Sequence, residues 1–366
     1  MNFDLNTDQE DLRQAVRRVM DERASDPQRR TAYESATGYD PDLWTLLTRS
    51  MGLAGLAVEE RFGGSGAGMV ELCVVLSEMG RVALSSPYFA TAVLSATAIT
   101  HSGDEDTMSE LLPRISQGDL IAAFAYLDVD HKSVTRAERN GAGWVLHGQK
   151  RLVIDGAVAQ TLIVLAETRQ GPTFFILRAD DAAVTRTPTV TLDPTRRLAR
   201  IELSGALATP LGSLGSGATL LAEVLDAARI ALAAENVGGA TRCLEMSVEH
   251  ALSREQFGRP IGSFQAVKHL CADMLVDVQS ARAAVDYAAW AFDENADEVP
   301  VVAPLTAAVA TDTYLSVTKR TIQVHGGMGF TWEHPAHYYF KRAKSGALLF
   351  GSAQAHRQVL ADRVGL

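Results

Sequence analysis

Ser253-Arg254-Glu255-Gln256-Phe257-Gly258-Arg259-Pro260-Ile261-Gly262-Ser263-Phe264-Gln265 and, about 70 residues on, Gln323-Val324-His325-Gly326-Gly327-Met328-Gly329-Phe330 decide how this chain reads. Arg254 offers a planar guanidinium, which pairs two anionic oxygens at once. Gly326 and Gly327 offer backbone without side chains, which a phosphate approaches closely. Each feature alone has an ordinary reading. Arg254 reads equally as a solvated charge at a helix end, and a Gly-Gly pair as a turn or helix cap. Both stretches in this order, followed by His334-Pro335 and by 338–341, carry more than either does singly.

Working outward, the 366 residues, 47% of them hydrophobic, can bury a large core and predict two or three domains. A net charge of −10 with no Lys/Arg-rich run argues against a nucleic-acid surface. Cys73, Cys243 and Cys271 are odd in number and widely spaced, the pattern of a reducing compartment, and none forms a CxxC pair. The acidic opening at Asp4, Asp8, Glu10 and Asp11 does not read as a signal peptide. No apolar run approaches the roughly 20 residues that cross a bilayer. The expectation is a cytoplasmic protein with no membrane or nucleic-acid partner.

Hydrophobic periodicity divides the chain into three, an α+β arrangement. Residues 1–118 read as an N-terminal helical domain, with Thr7 and Glu10 as a capping box and Leu12, Val16, Val19 and Met20 at helical spacing. The glycine cluster at 62–68 lacks the Lys-Ser/Thr of a phosphate loop and reads as a turn before a helix over 69–82. Residues 119–214 carry short β-rich runs at 120–127, 144–147, 161–165, 173–177, 189–192 and 201–203, without long helices between them. That pattern predicts a middle antiparallel β-domain. Gly212–Gly217 reads as a hinge. Residues 215–366 read as a C-terminal four-helix bundle, with helices over 218–254, 263–293, 302–325 and 335–363 and an acidic, Pro-bounded connector at 297–304.

The two opening stretches and this helix–β–helix order resemble the acyl-CoA dehydrogenase family, and the resemblance covers nearly the whole chain. It implies FAD as cofactor and an acyl-CoA thioester as substrate. A carboxylate in the family removes the α-proton while flavin N5 accepts the β-hydride. The flavin is shared, its ring held by the β-domain of one subunit and its ADP by C-terminal helices of a neighbour. By resemblance, Arg254 meets the pyrophosphate and Phe257 lies beside the adenine-ribose end. Gln265 sits on the helix that follows, and Gln323, Gly326 and Gly327 form the Gln-x-x-Gly-Gly motif. The ring-holding half departs from the family. Where members carry Thr-Glu-Pro-x-x-Gly-Ser-Asp, this chain has Leu127-Asp128-Val129-Asp130-His131-Lys132-Ser133. Gly148-Gln149-Lys150 is kept, but Leu152-Val153-Ile154 stands where Trp-x-Thr/Ser should follow, and aliphatic side chains donate nothing to a flavin.

The base is absent from both family positions, which hold Phe350 and Ala228, the latter just before Arg229. Glu235, inside an apolar helix segment, needs a partner: it is either a relocated base or half of a structural ion pair with a bundle arginine. His325 and His334 flank the glycine motif without a carboxylate cluster, which reads as packing or phosphate-adjacent groups and not as a metal site. The chain therefore resembles the base-lacking subunit of α2β2 actinobacterial, sterol-catabolic dehydrogenases, which completes its partner's FAD site. The substrate implied is a bulky, steroid-type acyl-CoA. Two alternatives stay open here: a homotetrameric dehydrogenase using Glu235, and an acyl-CoA-binding or scaffold subunit without flavin.

Overall fold

The computed structural model describes residues 5–130, 133–141 and 143–366; His131 and Lys132 of the run at 127–133, and Asp4 of the acidic N-terminus, lie outside them. The N-terminal part contains α1 (Thr7–Arg23), α2 (Asp26–Glu34), α3 (Pro41–Thr45), α4 (Met69–Arg81), α5 (Ala96–His101) and α6 (Glu105–Ser116). The capping box of α1 lies one residue earlier than the sequence predicts. Asn6 is extended, its side chain accepts from Gln9 N–H at 2.9 Å, and the Gln9 amide oxygen accepts from Asn6 N–H at 3.0 Å. The extended backbone at Asn6 already places Thr7 inside the first turn. The glycine cluster is a turn, as expected. Its amides are engaged internally, with Gly64, Ser65, Gly66 and Ala67 donating to Glu59, Gly55, Val58 and Leu56.

The middle of the chain forms seven strands: β1 (Ala122–Ala125), β2 (Arg136–Asn140), β3 (Gly143–Ile154), β4 (Thr161–Thr168), β5 (Gly171–Arg178), β6 (Val184–Thr189) and β7 (Leu198–Leu211). Strand pairing runs β4–β5–β7–β3–β2 and returns to β4 through Arg136↔Glu167, so the sheet closes on itself, with β1 added on β4 and β6 on β7. Pairing is antiparallel except where β4 meets β1 and β2. That parallel β1–β4 pair is a departure from the antiparallel expectation. The β2–β3 hairpin lies between the two strands and supplies the long crossover that a parallel pair needs. The run at 189–192 is not a strand; β6 ends at Thr189, and Val190 and Leu192 are exposed. Strand β2, too charged to register as a strand, forms because β3 offers it a complete antiparallel ladder.

The C-terminal part holds α7 (Gly217–Ser253), a small hairpin of β8 (Glu255–Gln256) and β9 (Arg259–Pro260), α8 (Gln265–Glu294), α9 (Val299–His325), α10 (Ala336–Leu349) and α11 (Ala353–Val364). Two expectations change here. The helix predicted over 335–363 is two helices, because Gly351 has φ 121° and Ser352 caps α11. The acidic connector is only a turn at Ala296–Glu298, and Pro304 lies inside α9. Pro304 cannot donate to the Pro300 carbonyl, and Arg363 Nη1 donates to that oxygen instead, at 2.6 Å. The apolar-run expectation is also amended: Ala296–Phe330 contains an 18-residue window with the mean hydropathy (1.2) of a membrane span, but 67% of that window is buried, as for a core helix.

Contacts group the chain into two compact units. One comprises the segment ending at Thr31 with Met69–Leu84 and Arg229–Leu366; the other comprises Ala32–Gly68 and Ser85–Ala228. Within the first unit, two glycines let α4 and α7 cross backbone to backbone. A Cβ on Gly238 would sit 1.9 Å from Ser77 O, and one on Gly80 would sit 2.1 Å from Glu235 O. Each helix-interior glycine costs about 1 kcal/mol in propensity, and the close crossing explains their presence. Met274, Tyr314, Val317 and Tyr339 fill the core beside it.

Candidate cofactor and active-site residues

The end of α7 builds an exposed, donor-rich surface. Arg254 N–H donates to His250 O at 2.9 Å and Arg254 O accepts from Ile261 N–H at 2.8 Å, pinching Glu255–Pro260 into the β8–β9 hairpin. Phe257 and Gly258 make its two-residue turn with φ of 55° and 76°. Two positive φ angles are what a primed hairpin turn requires. A left-handed phenylalanine costs roughly 1–2 kcal/mol, and its ring is 92% exposed. Phe257 stands edge-on to Phe264 at 6.1 Å, and the Arg259 guanidinium lies over Phe264 at 4.2 Å. Gln265 opens α8 next to this pair.

The end of α9 supplies the other half. Gln323 is exposed; Gly326, with φ 60°, stops the helix, and a Cβ on Gly326 or Gly327 would meet nothing within 4 Å. Bare backbone therefore faces open space. The side chains of Arg254, Gln265 and Gln323 have no hydrogen-bond or ion-pair partner among the described residues. A column of imidazoles links the two helix ends. The His250 and His325 rings stack at 4.4 Å and 22°, and His325 meets His334 at 4.4 Å and 52°. His325 and His334, expected from sequence as packing or phosphate-adjacent groups, are thus in direct contact. His250 was not singled out from sequence; its only signal is its place one turn before Arg254.

The strands that resemble the ring-holding half keep their backbone scaffold without its donors. Asp128 pairs with buried Lys150 at 2.8 Å and also accepts from Thr135 N–H and Oγ1–H at 3.1 and 2.6 Å. Burial pushes the Lys150 pKa down, against the opposing pull of Asp128. β3 bulges between Lys150 and Val153, and Leu152 takes φ 53° there. A bulge re-aims a side chain out of the ladder. The side chain so aimed is an aliphatic one, and Leu127 and Ile154 likewise carry no donor.

Neither position expected by resemblance to hold the base has a carboxylate: Ala228 is fully buried within α7, and Phe350, 9% exposed, closes α10. Glu235 is buried and accepts from Arg342 Nε at 2.9 Å, while Arg342 Nη2 donates to Leu84 O at 3.2 Å. The bundle arginine left unnamed by the sequence is therefore Arg342. His356, also unforeseen, is 3% exposed and packs against Gly351 beside Phe350. Burial, then the neighbouring Arg229 charge, pushes its pKa down to about 4, so it is neutral at ordinary pH.

Comparison with known proteins assigns this architecture. Residues 6–119 match the profile of the acyl-CoA dehydrogenase N-terminal domain, and residues 215–365 match that of the acyl-CoA dehydrogenase C-terminal domain. Over 349 residues the chain is 36% identical to acyl-CoA dehydrogenase IpdE2 of Mycolicibacterium smegmatis, covering 95% of this chain and 96% of that protein. The chain belongs to the acyl-CoA dehydrogenase family. Acyl-CoA dehydrogenase IpdE2 of Mycobacterium tuberculosis is similar at 35% identity, covering 93% of this chain and 92% of that one. Among solved structures, the ChsE4–ChsE5 complex from Mycobacterium tuberculosis superposes with a TM-score of 0.93 at 28% identity, covering 100% and 99% of the two chains. A variant of the Tcur3481–Tcur3483 steroid ACAD superposes with a TM-score of 0.89 at 31% identity, covering 98% of each.

Members of this family are FAD-dependent oxidoreductases, so FAD is the group against which the site residues are to be matched. The unpartnered Arg254 guanidinium and the open backbone of Gly326 and Gly327 suit the pyrophosphate of such a group. Leu127, Leu152 and Ile154 do not suit its ring.

Proposed function

We propose that this chain is the base-lacking subunit of a two-subunit acyl-CoA dehydrogenase, gripping the ADP end of a flavin whose ring a homologous partner holds. One contrast carries the reading: Arg254, Gln323 and the Gly326–Gly327 turn are left open and unpartnered, while Phe350 and Ala228 leave no base. Two neighbours described as a complex and as a steroid ACAD support a heteromeric assembly acting on a bulky, steroid-derived acyl-CoA. Within this reading the chain has three domains, at 1–118, 119–214 and 215–366.

The roles follow from the side chains. Arg254 pairs the pyrophosphate oxygens, a charge-assisted contact stronger than a neutral hydrogen bond. Gln265 and Gln323 donate amides beside it, and Phe257 offers a flat apolar face to the adenosine. Bound FAD supplies the acceptor for the hydride leaving the β-carbon. The proton at the α-carbon has no acceptor in this chain. Glu235 is engaged by Arg342, so its role is structural, and the partner brings the general base.

Flavin absorbance tests this. Purified alone, the chain should carry little flavin and oxidise no acyl-CoA. Co-purified with a homologue that has a glutamate before the helix arginine and an intact Thr-Glu-Pro strand, it should carry about one flavin per pair, because one ring site needs one ADP grip. Dye-coupled turnover by the chain alone, with one FAD per subunit, overturns the proposal.

A further inference from the structure

The His250–His325–His334 column is a direct contact between the two halves of the proposed ADP grip. His250 lies one turn before Arg254, with its carbonyl accepting from Arg254 N–H at 2.9 Å. His325 immediately precedes Gly326. Imidazole contact at 4.4 Å on both sides of His325 is compatible with neutral rings and resists a second charge among them.

Hydrogen bonds fix part of the proton pattern. His325 Nδ1 lies 2.8 Å from the Thr321 carbonyl oxygen, which only accepts, so Nδ1 carries a hydrogen in either protonation state of the ring. His334 Nδ1 accepts from Ala336 N–H at 3.2 Å, in the first turn of α10. Protonating that nitrogen would remove the acceptor from the helix start. His334 therefore remains neutral, and burial with the neighbouring histidines pushes its pKa down to about 4.

The charged groups that act on His250 and His334 are positive or potentially so, after burial and the neighbouring histidine rings. Arg254 on α7 acts on His250, and His337 on α10 acts on His334. His337 is acted on in turn by Lys341 of α10 and Arg30 of α2. Among the described residues, no carboxylate acts on His250 or His334. Arg254 thus opposes a proton on His250. An anion seated at Arg254 reverses that balance, because it offsets the one fixed cation that acts on His250.

We propose that this column belongs to the cofactor site and takes up a proton from solvent when a nucleotide pyrophosphate docks on Arg254 and the Gly326–Gly327 turn. The proton goes to His250 or to His325 Nε2, the positions not tied to a backbone acceptor. Linkage then makes pyrophosphate binding tighter as pH falls, by at most about tenfold per pH unit, the limit for a single proton. The inference rests on the ADP-grip reading above.

ADP-ribose is the probe, since its diesterified pyrophosphate does not itself titrate near neutrality. It would be titrated calorimetrically into the purified chain at pH 7 in two buffers of different ionisation enthalpy. Ring C–H shifts of the histidines would be followed by NMR against pH, with and without the ligand. The expected result is buffer-dependent heat equivalent to no more than one proton, with the His250 or His325 titration moved upward by the ligand. Across His250→Asn and His325→Gln, proton uptake per ADP-ribose bound should fall by half or more in at least one variant; uptake unchanged in both overturns the column's role. Arg254-dependent binding with buffer-independent heat and unmoved histidine titrations overturns the column's role and leaves the grip intact. No binding at millimolar ADP-ribose overturns the grip itself, and the column's role with it.

Discussion

The end of the α7–α9 pair and the bulged part of β3 have kept different things. Around Arg254 the chemistry is present on open surface: an unpartnered guanidinium, two free amides and bare glycine backbone. Around Leu152 the scaffold is present without the chemistry. The Asp128–Lys150 pair still fixes the strand, and the bulge still forces a left-handed residue, but the side chains displayed are aliphatic. A fold can hold backbone geometry where function has lapsed, because that geometry is also structural. Arg254, Gln265 and Gln323 make no hydrogen bond or ion pair among the described residues, so no structural pairing accounts for them. The donors are therefore the better guide to what the chain does.

The largest effect tests whether the lost base alone explains the contrast. Phe350→Glu or Ala228→Glu restores a carboxylate, whose absence typically costs roughly 10²–10⁴ in rate. Neither variant should gain acyl-CoA oxidation on its own, since the ring-holding donors are also missing. A gain of about a hundredfold in a dye-reduction assay would break the comparison between the two regions.

Next is Glu235→Gln, which leaves Arg342 buried without its anion. Breaking one side of such a pair costs about 3–5 kcal/mol, so thermal stability should fall sharply. Turnover of the assembled complex should stay within a few-fold in protein that remains folded. A thousandfold loss in kcat with folding intact would return Glu235 to the role of base.

Arg254→Ala should weaken ADP-ribose or flavin binding by about 1.5–3 kcal/mol with an unchanged melting temperature, because the side chain is exposed and makes no hydrogen bond or ion pair among the described residues. Wild-type flavin content in the purified variant would show that the open surface is not a grip.

A pH effect comes from His356. Its folded-state pKa of about 4 lies below the usual 6.5. Between those values the unfolded chain binds a proton that the folded chain refuses, so stability is lost as pH falls through that window. His356→Gln should flatten the melting-temperature profile between pH 6.5 and 4; a profile as steep as wild type would place the sensitivity elsewhere.

The smallest effect is at Leu152. Replacing a left-handed leucine by glycine relieves about 1 kcal/mol of backbone strain if the side chain has no remaining task. Leu152→Gly should raise the melting temperature slightly and leave activity of the complex unchanged. A loss of activity would mean that the bulge still serves the reaction.

Much of this was legible in the sequence. Periodicity located the long helices to within a few residues, and the motif residues at 254, 257, 265, 323, 326 and 327 fell at the end of α7, the start of α8 and the end of α9. It misled where a local signal had a competitor. Asn6 outcompeted Thr7 as a cap, Gly351 with Ser352 broke an otherwise helical pattern, and β2 became a strand through its partner and not through its composition.

The sequence by itself determined which chemical groups exist: it supplied a guanidinium at 254 and two glycines at 326 and 327, and left no carboxylate at 228 or 350. Only the tertiary structure decided what each group faces. Glu235 meets an arginine 107 residues away, the β4–β5–β7–β3–β2 ring closes through a single pair, and three histidines from α7, α9 and the turn after it stack in one column. Residue type sets what a side chain can donate or accept. Its partner is chosen by the packing of distant helices, and no local pattern encodes that.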